Sequence, residues 1–214
     1  RAFVAYAESK LWDNPAALAY LRDRGLRDET IEAARLGYNP ASRRPGDSRW
    51  GVWLPRGWVI PCEIDGVLWY VKVRRPDEDL AAERQRGRDP DKYHTVAGSR
   101  CGGVLYGLDD LRGHADGILC EGEFDALLLR QHVGDLAGVA ALPSASGRPG
   151  PLAWRVLVGL SRIWVAFDAD TAGQSAALVT LPGITLQQNR IYTLFVLGLR
   201  PGTPGLSAAL NLDA

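Results

Sequence analysis

The tightest constraint on this chain is a pattern used twice. Gly117-Ile118-Leu119-Cys120-Glu121-Gly122-Glu123-Phe124-Asp125-Ala126 and Ile163-Trp164-Val165-Ala166-Phe167-Asp168-Ala169-Asp170-Thr171-Ala172-Gly173 each open as a short apolar run. Each run breaks into carboxylates at its C-terminal end, and a helix-compatible segment follows. Such a strand–loop–helix unit carries its acids in the loop. In an open parallel sheet, ligands sit outside the carboxyl ends of the strands. Glu121, Asp168 and Asp170 are therefore expected at one edge of one sheet.

Asp168 and Asp170 are two residues apart. At the end of an extended strand, residues i and i+2 point to the same face. Two carboxylates on one site repel and raise each other's pKa unless a cation intervenes. An all-oxygen set without His or Cys suits a hard cation, Mg²⁺ before Zn²⁺. Mg²⁺ keeps only one or two protein carboxylates and leaves its other positions to water and phosphate oxygens. A phosphate-handling centre follows. Gly122 permits a sharp turn after Glu121. Glu123 and Asp125 fall in the first turn of the next helix, where negative charge complements the helix dipole. Simple helix-start acids would look the same at those two positions.

Glu121-Gly122-Glu123-Phe124-Asp125-Ala126-Leu127, followed 47 positions after Glu121 by Asp168-Ala169-Asp170-Thr171-Ala172-Gly173, resembles the Toprim domain shared by DnaG-type primases, topoisomerases and some nucleases. The resemblance implies that Glu121, Asp168 and Asp170 form a catalytic centre binding Mg²⁺ or Mn²⁺. Asp125 is a further expected ligand, and Gly173 opens the next helix.

The 214 residues suffice for one large or two small domains. Net charge is zero, so any basic surface for a polyanion has to be local. Cys62, Cys101 and Cys120 have neither zinc-site nor disulfide-framework spacing and fit a reducing cytoplasm. No run approaches the roughly 20 apolar residues of a membrane span, and no signal peptide is visible. The chain has no Met and begins at Arg1, as a piece of a longer protein would.

From the N-terminus, residues 1–38 read as helices. Asn14-Pro15 starts one, with Asn14 as cap and Pro15 at the first helical position, and Gly25 stops it. Asp28 is expected to cap a short helix from Glu29 to Leu36 that Gly37 ends. After a polar loop, Trp58-Val59-Ile60-Pro61 and Val67 to Arg74 read as strands joined by an Asp65-Gly66 hairpin turn. Lys72 and Arg74 alternate with Val71 and Val73, so both cations share one face. Cations interleaved with Trp58, Trp69 and Tyr70 suit single-stranded nucleic acid, although an ordinary sheet with one solvated face has the same pattern. Residues 76–91 read as a mobile loop or a short exposed helix. Phe124–His132, Pro151–Leu160 and Thr171–Thr180 read as helices. Gly138–Leu142, a run ending at Asp168, and Arg190–Leu197 read as strands. His94, His114 and His132 have no partner at metal-ligand spacing and are expected in structural or surface roles.

The order Ile60-Pro61, Gly66 to Arg74, Lys92-Tyr93 and Leu105-Tyr106-Gly107-Leu108, preceded by helices, resembles the catalytic core of DnaG-type primases. It implies an α/β fold: a Toprim-type parallel-sheet domain preceded by a small α+β subdomain with a helical lead-in. The expected divisions are residues 1–40, 41–113 and 114–214. It further implies phosphate contacts from Arg74 and Lys92, with Lys72 and Tyr93 beside them. Arg100 would stand in for a basic residue that the family carries before the leucine-tyrosine-glycine-leucine run. The implied reaction is template-directed synthesis of short RNA primers on single-stranded DNA from nucleoside triphosphates. A replicative helicase is the implied partner, reached through parts of a full primase. Zinc belongs to a ribbon outside this segment.

One departure concerns the tail. Primases follow the last strand with glycine-lysine-aspartate-proline, whereas Leu199 to Gly205 contain no acid. A metal normally held by that aspartate is expected to be weakened or missing. Three alternatives stay open: a Toprim nuclease, a non-catalytic nucleic-acid-binding relic, and a haloacid-dehalogenase-type phosphatase. The last is disfavoured because only 44 residues follow Asp170.

Overall fold

A computed structural model describes residues 1–47, 49–144 and 147–167. The chain divides into two compact units, Arg1–Arg100 and Cys101–Ala214.

In the first unit, α1 (Ala2–Trp12) turns Phe3, Val4, Ala7 and Leu11 inward. In α2 (Pro15–Asp23) the Asn14 side chain accepts the Ala17 N–H at 3.0 Å, as the Asn-Pro pair predicts. Gly25 leaves the helix at φ +88°. The next helix differs from expectation. α3 runs Asp28–Ala33, its cap position is Arg27, and no side chain caps it. Asp28 is drawn away by Arg22, whose Nε and Nη2 donate to its two oxygens at 2.8 and 2.6 Å. Helix α3 ends before Gly37 because Arg35 takes φ +53°, its guanidinium held between Glu8 and Glu63. Gly37 instead opens β1 (Gly37–Asn39), and a Cβ there would meet the Ala7 backbone at 2.6 Å.

Strands β2 (Gly57–Ile64) and β3 (Val67–Arg74) form the expected hairpin. Asp65 and Gly66 both have positive φ, +52° and +68°, the turn that an Asp-Gly pair favours. Helix α4 (Asp77–Gln85) follows, and β4 (Tyr93–Thr95) completes an antiparallel sheet of order β1-β2-β3-β4. Of the two readings of segment 76–91, the short helix holds, and its first turn is anchored. Leu80 is buried, and Arg56 grips Asp79 and Glu78. One sheet face forms a core in which Val59, Val71, Val73 and Val96 pack against Phe3, Val4 and Ala7 of α1. The other face carries Trp58, Ile60, Lys72 and Arg74, and it too is buried. The expectation of a solvated face is corrected: Lys72 is 7% exposed and Arg74 only 3%.

In the second unit, α5 (Leu108–Arg112) precedes β5 (Asp116–Cys120), α6 (Glu123–Val133), β6 (Gly138–Ala141), α7 (Pro151–Leu157) and β7 (Arg162–Ala166). The three strands form a parallel sheet of order β6-β5-β7, with β5 central. The outer edge of β6 is closed by non-strand chain. Tyr106 exchanges both backbone hydrogen bonds with Ala141, and the Asp110 carboxylate accepts the Val139 N–H at 2.8 Å. Gly107, at φ +75°, makes the approach possible, since a Cβ there would lie 2.5 Å from the Val139 carbonyl oxygen. The helix and strand expected at 171–180 and 190–197 lie outside the described residues. No helix among the described residues is long and apolar enough to cross a membrane.

Candidate active site

Parallel register pairs Cys120 at the end of β5 with Ala141 on one side and Ala166 on the other. The three strands thus run out together, and Glu121 is the first residue beyond the central one. It is half-buried. Gly122 forms the N-cap of α6 with extended backbone, φ −127° and ψ 157°. Asp125, three residues on, folds back over the loop: a Cβ at Gly122 would meet its Oδ2 at 2.9 Å. The loop therefore gathers Glu121 and Asp125 at the N-terminus of a helix, where amide dipoles favour anionic groups. Glu123 lies on the same first turn and is buried, 3% exposed.

The neighbouring Cys120 thiol is pushed up in pKa by burial and, after that, by the Asp125 charge. It stays protonated near neutral pH and offers no soft thiolate beside the acids. The described donors at this sheet edge are thus carboxylate oxygens, the chemistry that Mg²⁺ or Mn²⁺ takes. Among the described residues no group of three or more His, Cys, Asp or Glu gathers as a metal cluster. Asp168 and Asp170 lie outside the described residues. Phe167, which precedes Asp168 in sequence, is buried just past the end of β7.

The basic candidates belong to the first unit. The pairing Arg74↔Tyr93 and Lys72↔Thr95 puts these four residues on one sheet face. Arg74 is already engaged. Its Nη1 donates to the Arg75 carbonyl at 2.6 Å, and its Nη2 bonds both Asp77 oxygens at 2.9 Å. Its guanidinium also lies 5.2 Å from the Tyr20 ring and 5.6 Å from that of Trp58. Tyr20 stacks on Trp58 at 3.7 Å, and the Trp58 indole N–H donates to Ala17 O at 2.9 Å. The Arg74 hydrogen bond holds the Asp77 pKa below the usual carboxylate range. The Lys72 ammonium lies 5.5 Å from the Tyr70 ring and 5.9 Å from that of Tyr93, while Lys92 reaches Tyr93 at 6.0 Å. Tyr93 thus stands between a buried cation and an exposed one. Arg100 is exposed, its backbone tied to Trp69 O at 2.8 Å.

Sequence reasoning overlooked Arg75, buried and paired with Glu83, and Tyr20, which covers Trp58 from α2. Arg75 follows Arg74 directly, so strand alternation gave no signal for it. His114 is structural: its ring nitrogens lie 2.8 Å from the carbonyl oxygens of Asp110 and Gly134.

No family model matches the chain. A DNA primase of Deinococcus radiodurans is 29% identical to it, the match covering 77% of this chain and 33% of that protein. The chain spans about a third of the length of the curated relatives it matches. A DNA primase domain from Pseudomonas aeruginosa superposes with a TM-score of 0.70 at 22% identity, over 92% of this chain and 69% of that one. A DnaG primase catalytic domain solved with single-stranded DNA superposes at 0.67 and 19% identity, over 92% and 69% respectively. The chain therefore has the fold of a DnaG-type primase catalytic core.

Proposed function

We propose that the chain is the polymerising core of a DNA primase, making short RNA primers on single-stranded DNA from nucleoside triphosphates. The observation that carries this reading is the position of Glu121. It stands just beyond the central strand of a parallel sheet, where Cys120 pairs with Ala141 on one side and Ala166 on the other. That is where an open α/β sheet binds its ligand. The primase relatives, and the DnaG domain solved with single-stranded DNA, support it.

In the reaction, a primer 3′-hydroxyl attacks the α-phosphorus of a nucleoside triphosphate. A new phosphodiester P–O bond forms as the hydroxyl gives up its proton to solvent, the bond to the β-phosphate breaks, and pyrophosphate leaves. Glu121, Asp168 and Asp170, with Asp125, would hold Mg²⁺ or Mn²⁺, which when bound neutralises triphosphate charge and polarises the phosphoryl oxygens. Lys92 and Arg100, exposed cations of the first unit, are assigned to phosphates of template or nucleotide. Lys72 and Arg74 are assigned to the same phosphate path from beneath: Arg74 keeps the strand end and α4 together through Asp77, and Lys72 supports the Tyr93 ring. A helicase partner and a cytoplasmic setting belong to the same reading.

The test incubates single-stranded DNA, labelled ribonucleotides and Mg²⁺ with wild type, Glu121→Gln and Asp168→Ala, beside a primed template. Template-dependent short products from wild type that vanish in both variants are expected. Degradation of the template instead would replace this reading with a Toprim phosphodiesterase. Products that survive in both variants would move the chemistry away from these acids.

A further inference from the structure

We infer that Trp53 is a nucleobase-stacking platform for single-stranded template on the first unit. The residue precedes Leu54, which is fully buried and bridged to Arg43, so its backbone is fixed. The indole is nonetheless 38% exposed. Isolated exposed apolar residues are ordinary. Trp53 differs in how its ring is held.

His94 of β4 meets it edge-on, the ring centroids 4.3 Å apart at 60°. The His94 ring is also hydrogen-bonded to the Trp53 backbone, and burial draws its pKa down, so it packs as a neutral ring at neutral pH. The Arg75 guanidinium lies 5.7 Å from the indole centroid. Arg75 is itself buried and neutralised by Glu83, which makes it a support for the ring and leaves little charge for a phosphate. Two contacts thus immobilise a large aromatic surface that faces water. Ordering such a ring costs side-chain entropy that a free surface indole keeps. A pre-ordered ring binds a planar partner without that cost.

The surroundings point to a base rather than a protein. The Arg75 N–H donates to the Lys92 carbonyl at 2.9 Å, so the chain bearing the exposed Lys92 runs beside the Trp53 support. A cation for the backbone next to an aromatic for the base is the arrangement by which single strands are held without sequence preference. Any base offers a π-face, so Trp53 would add affinity without adding specificity.

This inference rests on the primase reading, and the test separates the two. Binding of a fluorescently labelled oligothymidylate, and of an abasic strand of equal length, is measured by anisotropy. The proteins are wild type, Trp53→Ala, Trp53→Phe and, as control, Trp12→Ala, which removes another exposed indole, 43% exposed at the end of α1. Circular dichroism confirms that each variant is folded. Trp53→Ala is expected to weaken oligothymidylate binding about tenfold, the scale of one lost stacking contact. Trp53→Phe recovers most of that loss, Trp12→Ala changes nothing, and all four proteins bind the abasic strand alike. Equal binding of oligothymidylate by wild type and Trp53→Ala would overturn the inference and leave the primase reading standing. So would an equal loss on the abasic strand. A wild type that binds neither strand would remove both readings together.

Discussion

Replacing Asp110 tests how the parallel sheet of the second unit ends. β6 is an edge strand, and an edge strand must satisfy its outward N–H groups without a further strand. The Ala141 N–H uses the Tyr106 carbonyl, at 2.9 Å, and the Val139 N–H uses Asp110 Oδ2. Val139 is 1% exposed and the Asp110 side chain 11%, so water is a poor substitute. A buried N–H left without an acceptor costs about 1–3 kcal/mol. Asp110 also pairs with Arg130 at 3.2 Å, but that arginine is half exposed, and such a pair is worth roughly 0.2–1 kcal/mol. Asp110→Ala is therefore expected to cost about 2–3 kcal/mol, most of it from the orphaned amide. Asp110→Asn keeps an oxygen for the amide and loses only the ion pair, as Arg130→Ala does. Both should cost about 0.5 kcal/mol. Urea unfolding followed by far-UV circular dichroism gives the order, and hydrogen exchange at the Val139 amide localises it. If Arg130→Ala proved as damaging as Asp110→Ala, the ion pair would be the main contributor and the edge argument would fall.

Two further outcomes follow from the geometry. Both ring nitrogens of His114 face carbonyl oxygens, so only the doubly protonated ring satisfies both. The hydrogen bond to Asp110 O, followed by that to Gly134 O, raises its pKa; the Asp110 carboxylate adds to this and Arg130 opposes it. A raised folded pKa gives stability that is complete below the ordinary value of about 6.5 and is lost as pH rises through the folded value. The melting temperature of wild type should therefore exceed that of His114→Ala by most near pH 6 and by least above about pH 8; a gap that widens with pH would refute this. Gly57→Ala would drive a Cβ to 2.1 Å from the Arg74 carbonyl oxygen at φ +146°, which backbone cannot yield to, and should cost more than about 3 kcal/mol in a urea titration. Gly66→Ala, at φ +68° with open space around it, should cost only about 1 kcal/mol.

Where local chemistry decides conformation, the sequence was readable. Asn14-Pro15 started α2 and Asp65-Gly66 turned the hairpin. Gly122 opened α6 behind Glu121, at the end of the central parallel strand. β1 and β4 were not legible, because three residues carry no periodicity and their place comes from pairing with β2 and β3. Gly37 misled for a related reason. Its missing side chain serves the close approach of α1, a tertiary demand that imitates a helix stop. The alternation of Lys72 and Arg74 gave their common face correctly, yet burial of that face is also a tertiary matter. Tyr20, Trp58 and Asp77 come together around Arg74 from α2, β2 and α4. Of the candidate acids, Glu121 stands in the loop and Asp125 in the first turn of the helix after it, as the strand–loop–helix reading expected, while Asp168 and Asp170 lie outside the described residues.

The Tyr20–Trp58 stack gives the joint between the lead-in helices and the sheet an optical signature of its own. An indole in van der Waals contact with a phenol, its N–H fixed to a helix carbonyl and a guanidinium nearby, sits in an asymmetric and rigid environment. Such a chromophore contributes sharply to near-ultraviolet dichroism only while α2 stays docked. Subtracting the spectrum of Trp58→Phe from that of wild type isolates this one seam among seven tryptophans. It would then report whether the helices part from the sheet before the strands themselves come apart.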